Sequence, residues 1–174
     1  MSNQSLEAWK NVKQAQQKYD YFIVGLSTTL FAYLGSKFTP EPIALSKNLF
    51  ELVALICILI SIIYGVLRLE KDIAIQSTDY RKLQAQERLD AVNKIINLPY
   101  KNISVDSGKE ILKSDAIEKQ EILKEFVNKS LKGLEMLGER YEFYFKIRNG
   151  SLLLGFIFLI SSKFIGLYLV SQTA

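Results

Sequence analysis

The chain has 174 residues, of which 49% are hydrophobic, and it carries 22 Lys and Arg against 18 Asp and Glu. It contains no histidine and a single cysteine. These counts exclude His-based acid–base catalysis, the common serine triads, most zinc sites and an internal disulfide. We therefore expect a non-enzymatic protein that has no catalytic residues, no cofactor and no metal ion.

The N-terminal segment, residues 1–18, is mostly polar, and we expect it to form a cytoplasmic amphipathic helix. An apolar run follows at about residues 20–37, with no charge between Asp20 and Lys37 but with hydroxyl residues at 27–29. About 20 apolar residues suffice for an α-helix to cross the hydrocarbon core of a bilayer. The run therefore predicts a first membrane span.

Two further apolar runs predict spans at about 48–68 and 150–170. Between its ends the second run contains one charged residue, Glu51, and the third contains Lys163. A core helix of a soluble bundle would show a polar stripe at a spacing of 3.6 residues, and the second run shows none between Val53 and Tyr64. The predicted transmembrane part thus comprises residues 19–70 and 150–171.

The distribution of basic residues predicts the orientation. Three of the 22 Lys and Arg precede the first span and sixteen lie between the second and third spans. Because basic segments stay on the cytoplasmic side, we expect a multi-pass membrane protein with both basic segments in the cytoplasm. Its N-terminus would be cytoplasmic and its C-terminus outside.

The cytoplasmic segment, residues 71–149, is expected to form an antiparallel helical hairpin with a loop at about 99–114. No Gly or Pro occurs between Leu69 and Asn97, so the second span should continue as a helix into the cytoplasm. A second helix is predicted to begin at Asp115, where Asp115 and Glu118 resemble a capping box. Apolar residues at three- and four-residue steps predict a coiled-coil seam, which includes Ile73, Tyr80, Leu83, Leu123 and Val127.

The predicted fold is an all-α membrane protein with three transmembrane helices and a long cytoplasmic antiparallel hairpin continuous with spans two and three. Aromatic and basic residues gather at the three span ends on the cytoplasmic side. Such a mixture of residues could bind single-stranded nucleic acid. Because all three groups lie at the same predicted depth in the membrane, they are better explained as an inner-interface belt. Nucleic acid is therefore not an expected partner. The belt residues are Lys18, Tyr19, Arg68, Lys71, Tyr144, Lys146 and Arg148.

Lys163 is a charged residue inside a predicted span, where insertion of a lysine costs about 2.5–3.5 kcal/mol. Three environments would reduce this cost. Its ammonium could reach the outer surface, it could pair with Glu51, or it could line an aqueous path, as a cationic ring in an oligomer. The sequence favours the ion pair somewhat over the pore-lining role and leaves both open.

Small residues recur in the spans at spacings that let membrane helices approach closely. Three spans bury few of these stripes within one chain, so we expect a homo-oligomer in the lipid bilayer. The candidate helix-packing residues are Gly25, Thr29, Ala32, Cys57, Ser61, Gly65, Gly155, Ser162 and Gly166.

The N-terminal part of the chain combines three architectural features. They are a polar N-terminal helix, two spans joined by a Pro-containing turn, and the charged helix DYRKLQAQERLDAVNKI at residues 79–95. Over Ser5–Leu98 they resemble the SLATT-type membrane effectors of bacterial defence systems. The third span departs from the two-span pattern of that family. The resemblance implies an inner-membrane effector in antiviral defence that permeabilises the membrane.

The sequence therefore predicts a self-associating membrane protein that controls permeability as a channel or pore. The alternative is a membrane anchor or scaffold whose hairpin, residues 71–149, recruits a cytosolic protein without forming a pore.

Overall fold

The computed structural model describes residues 3–40, 46–98, 102–104 and 110–173. Three helices account for most of them: α1 (Asn3–Lys37), α2 (Lys47–Ile96) and α3 (Lys113–Thr173). Two three-residue strands, β1 (Asn102–Ser104) and β2 (Glu110–Leu112), pair antiparallel with Ile103 opposite Ile111. The protein is therefore helical, as predicted.

The helix boundaries follow from local sequence. The uninterrupted run of helix-compatible residues keeps α2 helical to Ile96, which confirms its predicted continuation, and Pro99 lacks the N–H that another turn would need. The predicted loop at 99–114 is wrong in part, because β1 and β2 pair within it; residues 99–101 and 105–109 lie outside the described residues. Since α3 begins at Lys113, Asp115 lies in its first turn and is not the N-cap.

Two helices in the described part of the chain, α2 and α3, are long and apolar enough to cross a membrane. Their most apolar 18-residue windows have mean hydropathies of 2.6 and 1.4, and 28% and 17% of these windows are buried within the protein. A core helix of a soluble protein would be mostly buried, whereas most of each window is not buried in this chain. Helix α1, which contains the first predicted span, does not meet the same criterion.

The chain divides into two compact units, residues 1–70 with 141–174 and residues 71–140. In the first unit, α1, the N-terminal part of α2 and the C-terminal part of α3 pack together. Among its described residues, the buried apolar side chains are Ala54, Leu55, Ile58 and Leu152.

In the second unit, the C-terminal part of α2 contacts the N-terminal part of α3. Gln120 Nε2 donates a hydrogen bond of 2.6 Å to Asn93 Oδ1, and Ala85, Ala116 and Val127 are buried. The predicted seam is wrong for part of α2. Its members Ile73, Tyr80 and Leu83 are 64%, 63% and 53% exposed, since small alanines on each helix take the buried positions.

Candidate functional site

A buried charge cluster joins the three helices of the first unit. Asp20 of α1 is 1% exposed, and its Oδ1 accepts hydrogen bonds from Arg68 Nη1 of α2 at 2.6 Å and Arg148 Nη1 of α3 at 2.8 Å. Tyr141 Oη donates to the other carboxylate oxygen, Oδ2, at 3.1 Å. Ionised side chains are buried at low cost only when they are paired and hydrogen-bonded, so this carboxylate is the electrostatic centre of the three-helix unit.

Aromatic rings complete the surroundings of both guanidinium groups. The Arg68 guanidinium carbon lies 4.2 Å from the centre of the Tyr141 ring and 4.4 Å from that of Phe145. The Arg148 guanidinium lies 5.3 Å from Phe145 and 5.5 Å from Tyr19. Such cation–π contacts contribute roughly 2 kcal/mol when they are shielded from water, and they fix the orientation of the two cations.

The residues of the predicted inner-interface belt differ in how deeply the structure buries them. Arg68 and Arg148 are 2% and 0% exposed and bind Asp20, so they face the interior of the unit. The Lys146 side chain is 71% exposed and lies 2.9 Å from Glu142. The remaining members differ in burial: Lys18 and Tyr19 are exposed, and Lys71 and Tyr144 are partly buried.

Buried positions in this unit follow a heptad spacing. On α2, apart from Leu55, they alternate by four and three residues: Ala54, Ile58, Ser61, Gly65 and Arg68. On α3 the same spacing relates Arg148, Leu152, Gly155 and Ser162, and on α1 it relates Asp20 and Ser27. This is the spacing of helix seams that pack at a small crossing angle.

The polar members of these seams form a row along the interior of the unit, which we call the polar seam: Asp20, Ser27, Ser61, Arg68, Arg148 and Ser162. All six are at most 2% exposed. Seven residues of helix rise about 10 Å, so the serines lie about two turns or more from the charge cluster. The hydroxyl oxygens of Ser27 and Ser61 have no hydrogen-bond partner among the described residues.

A second charged group lies at the other end of the polar seam, where Glu51 is shared by two lysines. Lys163 Nζ lies 3.8 Å and Lys47 Nζ 3.6 Å from Glu51 Oε1. Lys37 Nζ donates to Tyr33 Oη at 2.7 Å. These five residues line a cavity of about 280 Å³. The Lys163 side chain is 71% exposed although it pairs with Glu51.

The candidate helix-packing residues differ in burial and in how closely a neighbouring helix approaches them. A Cβ atom on Gly65 would lie 2.6 Å from Val24 Cγ2, and one on Gly155 would lie 3.0 Å from Ile58 Cγ1. Ser61 and Ser162 are buried, and Cys57 is partly buried. By contrast, Gly25, Thr29 and Ala32 are exposed on α1, and the surroundings of Gly166 lie outside the described residues.

Sequence reasoning did not identify Asp20 as the shared partner of Arg68 and Arg148. The usable signal was a spacing of seven or fourteen residues between polar residues in or beside each apolar run: 20 and 27, 61 and 68, and 148 and 162. Within the described residues, no group of three Asp, Glu or Cys side chains is placed to hold a metal ion.

The site consists of paired charges and hydrogen bonds buried between three helices. The chain matches no known family model, curated protein or solved structure.

Proposed function

We propose that this chain is a non-enzymatic, self-associating membrane protein that controls ion permeability, with three transmembrane helices and a cytoplasmic helical hairpin. The observation that carries the proposal is the distribution of polarity in the first unit, in which a row of polar side chains is buried beside a few apolar ones while many large apolar side chains are exposed. The polar seam is buried, whereas Ile63, Leu153, Ile160 and Phe164 are 49%, 63%, 58% and 67% exposed.

This polarity suits a lipid surround. Exposed apolar side chains cover α2 and α3, and α1 also exposes Phe22 (64%) and Leu26 (39%). In water such a surface would drive aggregation. In a bilayer, hydrocarbon tails would cover it without a cost in free energy. The exposed surface of α1 therefore supports a third span, and the positive-inside rule supports a cytoplasmic N-terminus.

The polar seam supports permeation. Charged or hydroxyl groups occur near both ends and in the middle of the unit, and partnerless buried hydroxyls such as Ser27 and Ser61 are sites that water can hydrate. The cavity lined by Lys37, Lys47, Glu51 and Lys163 carries three positive charges against one negative charge. Such a cationic entrance favours anions.

Self-association follows from the unpaired stripe on α1. Gly25, Thr29 and Ala32 lie at steps of four and three residues and are exposed, which is the pattern that lets two membrane helices approach closely. A second copy of the chain would cover this face. The resemblance to bacterial defence effectors supports a bacterial inner membrane as the location and antiviral defence as the setting.

Chloride flux from liposomes tests the proposal. Reconstituted wild-type protein should release chloride, and Lys163→Leu should reduce the flux about tenfold, because an apolar side chain in the charged cavity raises the barrier by about 1.4 kcal/mol. Lys129→Leu is the matched control, since the Lys129 side chain is 79% exposed and pairs with Glu125 in the second unit. Its flux should equal that of the wild type.

Potassium flux is measured in parallel. If inserted wild-type protein released neither ion faster than empty liposomes, with and without a membrane potential, the permeability proposal would be overturned. Equal chloride flux through wild type and Lys163→Leu would show that Lys163 does not line the ion path.

A membrane scaffold is the second candidate, and the exposed apolar side chains of the second unit favour it. Ile122, Leu131 and Met136 are 59%, 48% and 61% exposed, outside the proposed spans where lipid would not cover them. A partner protein bound along residues 71–140 would bury them. Inserted protein that conducts no ions and co-purifies with a stoichiometric cytosolic protein would establish the scaffold function instead.

A further inference from the structure

The buried charge cluster has more positive than negative charge. Asp20 supplies one carboxylate, whereas Arg68 and Arg148 supply two guanidinium groups, and all three residues are at most 2% exposed. Two buried donor atoms, Arg68 Nε and Arg148 Nη2, have no acceptor among the described residues. An uncompensated buried cation is costly, so a bound anion would stabilise this arrangement.

A cavity of about 330 Å³ adjoins the cluster, several times the roughly 30 Å³ that one water molecule occupies in the liquid. Arg68 lines it together with Gln16, Tyr19, Tyr141, Glu142 and Phe145. The rings of Tyr141 and Phe145 also stack on the Arg68 guanidinium. The cavity therefore adjoins a fixed cation, the Arg68 guanidinium, whose Nε is buried and has no acceptor among the described residues, and it is large enough for a polyatomic anion.

The other charge at this cavity is locally balanced. Glu142 Oε1 lies 2.9 Å from Lys146 Nζ, and the hydrogen bond and positive charge of Lys146 hold the pKa of Glu142 below its ordinary value. At neutral pH this pair has no net charge. The adjoining cluster of Arg68, Arg148 and Asp20 carries an excess of one positive charge, and of these three residues Arg68 lines the cavity.

We propose that this cavity binds a singly charged phosphate group. A guanidinium donates parallel N–H bonds that match phosphate oxygens, and one negative charge equals the excess of the cluster. The group could belong to an anionic phospholipid, because the cavity lies at the proposed inner-interface end of the spans, or it could be a soluble phosphate. The site does not depend on whether the protein conducts ions, so either proposal can fail without the other.

The test uses the full-length protein in a neutral detergent. Its melting temperature is followed during titration with phosphatidylglycerol, with a glucosyl diacylglycerol that lacks phosphate, and with sodium phosphate against sodium chloride of equal ionic strength. A rise with phosphatidylglycerol alone identifies the lipid headgroup as the ligand, and a rise with sodium phosphate identifies a soluble anion. Ligands that bind the folded state stabilise it in proportion to the logarithm of their concentration.

Gln16→Glu should weaken this binding about tenfold or more, because it places a carboxylate at the cavity. Gln14→Glu is the matched control: it makes the same charge change on the same helix, also at an exposed position, but outside the cavity lining. It should bind as the wild type does. Arg68→Gln should abolish binding, and Gln16→Glu keeps the test valid if Arg68→Gln does not fold.

The proposal would be overturned if neither phosphate source raised the melting temperature above its control. Equal binding by Gln16→Glu, Gln14→Glu and wild type would also overturn it.

Discussion

Replacing Asp20 by asparagine should lower the free energy of unfolding by about 3–5 kcal/mol, the range observed when one partner of a buried ion pair is removed. Asp20 accepts hydrogen bonds from Arg68 and Arg148, and all three are buried. The neutral amide would leave two guanidinium groups without a counter-charge. The loss is measured as a lower melting temperature and a lower denaturant midpoint in mild detergent.

Two further variants give this prediction its controls. Glu142→Gln removes a carboxylate whose side chain is 67% exposed in its pair with Lys146, and it should melt close to the wild type. Replacing Asp20 by leucine together with Arg68 and Arg148 by methionine removes every charge of the cluster. Because buried ion networks can be exchanged for apolar side chains with little loss, this triple variant should regain most of the stability. If Asp20→Asn melted with the wild type, Asp20 would not be the centre of the unit.

Replacing Gly65 by leucine should destabilise the first unit by about 3 kcal/mol, at the upper end of the range for overpacked cores. A Cβ atom at Gly65 would already lie 2.6 Å from Val24 Cγ2 and 3.4 Å from Arg148 Cδ. A leucine would therefore push α1 away from α2 and disturb the charge cluster. The melting temperature should fall, and the first unit should become more accessible to protease.

Gly150→Leu is the matched control on α3, because a Cβ atom there meets nothing within 4 Å. It should leave the melting temperature unchanged or raise it slightly, since leucine is a better helix former than glycine. Equal melting of the two variants would show that α1 and α2 do not approach at Gly65.

The helical fold could be predicted from the sequence because it depends on local and periodic signals. The absence of Gly and Pro after Leu69 was sufficient to predict the continuation of α2 to Ile96. The start of α3 was misplaced by two residues, because Asp115 is equally suited to an N-cap and to a first helical turn. The pairing of β1 and β2 carries little signal, as three-residue strands show no clear alternation.

The charge cluster was harder to predict because its members lie 48 and 128 residues apart along the chain. Arg68 and Arg148 each fit an interfacial belt as single residues, and only the fold shows that they share one carboxylate. The proximity of Lys163 and Glu51 was more accessible to sequence reasoning, since two isolated opposite charges in apolar runs have few alternative partners.

The central claim is that the first unit lies in the membrane with its polar side chains inside, and fluorophore quenching tests it most directly. In a Cys57→Ser background, which lacks any other thiol, single cysteines at Leu26, Ile63, Ile160 and Met136 are labelled and the protein is placed in liposomes. These positions are 39%, 49%, 58% and 61% exposed. Labels at the first three should be quenched by lipids with brominated acyl chains and not by iodide, whereas the label at Met136 should be quenched by iodide. Iodide quenching of all four labels would contradict the account.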